Sequence, residues 1–258
     1  MSIRVVDLPA SAGWTWISGA GRMFRAQPFA WVALSSCWLL FSLMAVAMFS
    51  AMGILLVVTV QPAVTGGMLI AASEQERGNR VHLGHLLAGF QANGSNLIRL
   101  GMLWVVGMFV VVLLIFAAGI PKPPETIKTV TEMTEWVRGA LDIWAVMIAV
   151  IGVAILQGLQ WFAVPVATFH GMRPMESIRW SGYALVANMG AMIGFCLPLA
   201  VAFAGLFIVG SAENRILSVF GSFAQLVLTA IVTLASYVSY RQVFVARETD
   251  DPPKEETA

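Results

Sequence analysis

The residues best placed to do chemistry are uncharged polar side chains set into very apolar segments. Ser218, Ser222, Gln225, Thr229, Thr233 and Ser236 advance by four, three, four, four and three residues. A helix with 3.6 residues per turn keeps all six on one face. Gln157 and Gln160 share a face of an earlier segment, and Gln61 and Asn188 add one amide each to two others. The candidate site is therefore Gln61, Gln157, Gln160, Asn188, Ser222, Gln225 and Thr229. With no base or metal beside them, amides and hydroxyls offer hydrogen bonds rather than nucleophilic attack. Such groups need partners in lipid, so they either bond between helices or line a polar cavity for a neutral or amphipathic ligand.

Other constellations are thin. His82 and His85 are spaced as a helical metal pair, but no acidic residue follows as in HExxH, and no third ligand is evident. Cys37 and Cys196 lie inside apolar runs, where a thiol reads as a small core hydrophobe rather than half of a disulfide. His170 falls near a helix end and suits an interfacial role. No Gly-x-Ser-x-Gly, aspartate pair or Ser/His/Asp arrangement occurs. Asn93-Gly94-Ser95 reads as a turn. The sequence thus implies no catalytic residue, metal or cofactor.

The elements that hold these residues follow from composition. Of 258 residues, 59% are hydrophobic and 11% charged, and mean hydropathy is +0.81. A soluble domain carries roughly twice that charge. The numbers exclude an ordinary soluble enzyme, a disordered chain and a disulfide-built domain. The net charge of +1 gives no reason to expect nucleic acid as a partner.

Forty-eight residues separate Arg25 from Glu74 without an acidic or basic side chain. A crossing needs about 20 residues, so this run predicts two, at 29–50 and 52–73, with a turn near 50–53. A re-entrant hairpin is the alternative. Four further uncharged stretches predict crossings at 100–120, 143–169, 184–210 and 216–240. The expected fold is all-α: a single domain over 1–246, built as a polytopic bundle of six transmembrane helices. No signal-like cleavage site ends the first run, so the first crossing should remain as an anchor.

Arginine and lysine fix the expected orientation. Arg4, Arg22, Arg25, Arg77, Arg80, Arg99, Arg173, Arg179, Arg241, Arg247 and Lys254 fall on one side; Lys122, Lys128, Arg138 and Arg215 fall on the other. The eleven-residue side should be cytoplasmic, with both chain ends inside. Residues 10–25 predict an N-terminal interfacial helix, with Trp14, Ile17, Gly21 and Phe24 on one face and Trp16 and Met23 flanking it. The loop 122–142 suggests a short helix on the outer surface, and 247–258 a disordered acidic cytoplasmic tail.

An internal echo runs through the chain. Pro62-Ala63-Val64-Thr65 matches Pro165-Val166-Ala167-Thr168; Gly89-Phe90 and Asn96 match Gly182-Tyr183 and Asn188. This suggests two hairpins of the same orientation. Each proline frees the carbonyl four residues earlier, which then needs another donor. Gly190 and Gly194 form a GxxxG, a mark of close helix packing within or between chains.

Two blocks carry a resemblance. Pro9, Ala10, Gly13, Trp14, Trp16, Ile17, Phe24, Arg25, Pro28 and Trp31 form the first; Pro62, Gly67, Met68, Gly78, Val81, Leu83, Gly84, His85, Leu86, Gly89 and Phe90 form the second. Together they resemble an uncharacterised family of proteobacterial multi-pass inner-membrane proteins. His82 stands where that family usually has an acidic residue, and Leu87 where it usually has Phe. The resemblance implies a bacterial inner-membrane location and brings no activity.

Two functional expectations follow. The first is a non-enzymatic accessory or assembly partner of other membrane proteins, or a homo-oligomer, in contact with the lipid bilayer. The second is a carrier or binder of a lipid or small neutral solute, using the polar stripe. A membrane-embedded enzyme would need a nucleophile or metal that the sequence does not offer.

Overall fold

The computed structural model describes residues 3–118, 143–211 and 214–246, together with positions 124, 126, 127, 129, 132, 133, 135, 136 and 139. The surface helix expected over 122–142 falls largely outside these residues, and the tail 247–258 wholly so.

Helices dominate. Strand β1 (Ile3–Val5) leads to α1 (Ala12–Ala26), α2 (Pro28–Glu76), α3 (His85–Ala117), α4 (Ile143–His170), α5 (Pro174–Ala187), α6 (Met189–Gly210) and α7 (Arg215–Val243), followed by strand β2 (Phe244–Ala246). Five of them, α2, α3, α4, α6 and α7, are long and apolar enough to cross a membrane. Most of their side chains face outward rather than into a core: Leu40, Met48, Phe109, Val201 and Ile208 are all exposed. Large apolar residues at that exposure require a nonaqueous solvent. The chain is an all-α membrane bundle.

The 49-residue helix α2 is not straight. Ser50 adopts φ 49°, ψ −124°, a conformation that non-glycine residues rarely take. The chain reverses there. A Cβ on Gly53 would strike the Ala45 carbonyl, so the tip closes only around glycine. At the opposite end, the Trp31 indole donates to Gln75 Oε1 at 2.6 Å. The two arms, 28–49 and 51–76, are therefore antiparallel neighbours.

Three further differences from expectation concern element limits. The crossing expected to begin at 184 begins later: Asn188 (φ −112°, ψ 27°) breaks the helix, and residues 184–187 belong to α5. Helix α3 starts at His85, well before residue 100, and is broken at Asn93 (φ −152°, ψ 42°). In α1 the buried stripe is Ala12, Gly13, Trp16, Gly19 and Ala20, whereas Trp14 is 64% exposed. Two glycines and two alanines let that side of α1 approach α6: a Cβ on Gly13 would collide with the α6 backbone at Ala191 and Phe195. Trp16, on the same face as these small residues, is buried, and Trp14 points away from that face.

The packed core gathers at one end of the bundle. There β1 pairs antiparallel with β2, Ile3 opposite Ala246 and Val5 opposite Phe244, so the two chain ends clasp each other. Trp16 Nε1 donates to Gln242 Oε1 at 3.0 Å, and Arg241 bridges Glu76 at 2.6 Å. Asn93 Nδ2 donates to the Ala167 carbonyl at 2.8 Å. Toward the other end the described helices carry few buried residues.

The echo has a structural counterpart. In each unit a short helix folds back on the helix before it: Gly89 presses on Ala63 and Gly67, and Ser181 Oγ accepts from Phe162 N at 3.3 Å. Each short helix ends at an asparagine, Asn93 in the first unit rather than Asn96, and Asn188 in the second. The carbonyl freed by Pro165 is that of Trp161; it accepts Ser236 Oγ of α7 at 3.3 Å.

Candidate functional site

Beyond the packed end of the bundle, a cleft of about 490 Å³ opens between the two arms of α2 and one side of α7. The first arm supplies Ser35, Trp38, Leu39 and Ser42; the second supplies Gln61, Val64, Thr65 and Met68. Helix α7 supplies Ser222, Gln225, Leu226, Thr229 and Thr233. Positions three, four and seven apart on each helix give these three faces their shape. Thr229 stands midway along α7, so the cleft lies near the middle of the helical layer rather than at a rim.

The polar groups of the cleft fall into two sets. Ser42 Oγ donates to Trp38 O at 2.8 Å, Ser222 Oγ to Ser218 O at 2.9 Å, Thr229 Oγ1 to Gln225 O at 2.9 Å and Thr233 Oγ1 to Thr229 O at 3.2 Å. These hydroxyl protons are spent on the preceding helical turn, a local bond common to Ser and Thr in helices. The oxygens keep their remaining lone pairs. By contrast, the carboxamides of Gln61 and Gln225 and the hydroxyls of Ser35 and Thr65 make no hydrogen bond among the described residues. Ser35 is only 5% exposed and lines the cleft floor. Among the described residues the one buried side-chain polar atom without a partner is Ser177 Oγ, so these four groups reach the cleft surface, where an unpaired polar group costs most if the surroundings are hydrocarbon. Among the described residues no Asp, Glu, Lys, Arg or His lines the cleft.

Four of the residues singled out by spacing, Gln61, Ser222, Gln225 and Thr229, thus come together. The other three do not. Gln157 Oε1 accepts the Trp104 indole at 2.9 Å, tying α4 to α3. Gln160 Nε2 donates to the Leu100 carbonyl at 3.3 Å. Asn188 is fully buried; its Oδ1 accepts from Leu8 N at 3.0 Å, and its Nδ2 donates to Val6 O at 3.0 Å and Ala184 O at 3.1 Å. These amides hold helices and the N-terminal segment together. The stripe on α7 divides likewise: Ser218 Oγ bonds Gly210 O at 2.9 Å, and Ser236 reaches α4. Ser35, Trp38, Ser42 and Thr65 are the lining residues that sequence reasoning missed. Their signal was the spacing of Ser35, Trp38 and Ser42 on the first arm, and Thr65 one turn beyond Gln61.

Elsewhere the reactive side chains are engaged or isolated. The His82 and His85 rings lie 3.9 Å apart, and His85 Nδ1 is within 3.2 Å of His82 N. His170 Nε2 bonds the Tyr240 hydroxyl at 2.8 Å. No group of three or more His, Cys, Asp or Glu gathers among the described residues. Cys37 and Cys196 are free and exposed on outer helix faces, not the core hydrophobes expected of them. Gly190 and Gly194 meet Ala10 of the same chain, so this GxxxG serves packing within the chain.

The chain is similar to a probable inner membrane protein of Burkholderia thailandensis: the two are 26% identical over 268 residues, covering 97% of each. No protein-family model matches the chain, and no solved structure matches it.

Proposed function

We propose that this chain is a non-enzymatic inner-membrane protein that binds, and carries or presents, an uncharged amphipathic molecule drawn from the bilayer. The observation that supports it most is the mid-layer cleft whose Ser35, Gln61, Thr65 and Gln225 lack partners while apolar Trp38, Val64, Met68 and Leu226 surround them. Its volume lies within the roughly 300–1,000 Å³ of ligand pockets. Leu39, Gln61, Ser222 and Thr229 are exposed along the mouth at a height where the solvent is lipid, so access is sideways from the membrane.

In this reading the two arms of α2 are separate crossings, giving six with α3, α4, α6 and α7. The arginine-rich end faces the cytoplasm, with both chain ends inside. Helix α1 lies at that interface, its Arg22 and Arg25 exposed toward headgroups. The relative's name supports the inner membrane as the location.

The test is extraction of the protein in mild detergent, followed by mass spectrometry of what accompanies it. A neutral amphipath should co-purify and be lost when Thr229→Trp fills the mouth. A stoichiometric membrane-protein partner, retained in both forms with no bound amphipath, would instead favour an assembly role.

A further inference from the structure

Resting on the cleft as the ligand site, we infer that its ligand carries an uncharged hydrogen-bond donor, an alcohol or an amide, on an apolar body. The cleft offers more acceptors than donors, eight side-chain oxygens against six N–H and O–H protons, among the described residues. The hydroxyls of Ser42, Ser222, Thr229 and Thr233 have each given their proton to a carbonyl of their own helix. As lining groups they can only accept. Gln61 and Gln225 add two carbonyl oxygens, and Ser35 and Thr65 two more hydroxyl oxygens. The donors that remain are the two carboxamide N–H₂ groups and the Ser35 and Thr65 protons. A ligand that only accepts, such as an ester or ketone, leaves the surplus of oxygens unsatisfied. A ligand that both donates and accepts answers both sets.

Charge is excluded by the same walls. A carboxylate or phosphate would meet no cation there, and an ammonium no carboxylate. Burying an unpaired ion in that setting costs far more than the available hydrogen bonds return. Trp38, Leu39 and Leu226 offer the apolar lining against which such a body would lie.

The experiment uses the full chain in lipid nanodiscs and four sixteen-carbon probes: hexadecanol, methyl palmitate, palmitate and hexadecyltrimethylammonium. Binding is read by native mass spectrometry and by thermal shift. Hexadecanol should bind at least about tenfold more tightly than the ester, the size of one unmade buried hydrogen bond, and both charged probes more weakly still. Gln61→Leu and Gln225→Leu should each weaken hexadecanol by about tenfold and the ester by less, since the ester uses only the carboxamide N–H₂ whereas the alcohol uses the carbonyl oxygen as well. The probe series on the unaltered chain decides the class even if a variant does not fold. Equal binding of alcohol and ester, or preference for a charged probe, overturns the donor class; if Thr229→Trp still abolishes that binding, the cleft remains the site. Binding of none of the probes overturns both the class and the cleft as a ligand site.

Discussion

Two amides of the same chemical type play opposite parts in this protein. Asn188 has every polar atom engaged, at 3.0–3.1 Å, by the N-terminal segment and its own helix. Gln225 has none. Removing the first should destabilise the fold, because the half-buried Leu8 N and Val6 O would lose their partner; Asn188→Leu is expected to cost about 1–3 kcal/mol. Removing the second relieves an unpaired amide in hydrocarbon, so Gln225→Leu and Gln61→Leu are expected to raise the midpoint of a thermal melt in detergent, a gain of about 0.5–2 kcal/mol. A rise in stability with a loss of binding is what separates a ligand-contacting residue from a packing one. Spacing alone could list these residues but not sort them. Gln157, Gln160 and Asn188 carry the same side-chain chemistry as Gln61 and Gln225, and only the position of a Trp104 indole or a Leu100 carbonyl decides which amides are occupied.

At the level of elements, glycine and proline mark where the chain could be read in advance. The reversal near 50–53 was legible because 48 uncharged residues are too many for one crossing. The structure adds why it is tight: Gly53 lies against Ala45 across the tip. Gly53→Leu should therefore block closure of the hairpin and abolish folded protein in size-exclusion chromatography, a cost well above the about 1–3 kcal/mol of ordinary overpacking. Gly21→Leu is the control, since nothing lies within 4 Å of a Cβ there, and its melt should stay near that of the unaltered chain. The break at Asn188 was not legible, because an uncharged run shows no boundary where an asparagine turns the backbone. Nor was the buried side of α1. Periodicity puts Trp14 on the apolar face with Trp16 only flanking it, whereas close approach to α6 is decided by Gly13.

Over the whole molecule, one end is cross-linked and the other is loose. The β1–β2 pair, the Trp16–Gln242 bond and the Glu76–Tyr237–Arg241 group tie the arginine-rich end. Arg241 and Glu76 are about half exposed, so Glu76→Gln alone should cost no more than about 1 kcal/mol. Deleting residues 3–8 removes the strand pair and two of the three backbone partners of Asn188 together, and should lower the melting midpoint far more. The short strands had no sequence signal, because three residues are too few for a periodic pattern. Reporter fusions at both ends should report a cytoplasmic location, as the arginine asymmetry requires. The cleft sits where the densely buried end gives way to the sparsely buried one. The most direct test of the account is photolabelling in native membranes with a diazirine-bearing hexadecanol, followed by peptide mapping. The account predicts label concentrated on 35–42, 61–68 and 222–233, and displaced by unlabelled hexadecanol. Label spread evenly over the lipid-facing residues of α3 and α6, with no excess at those three segments, would contradict it.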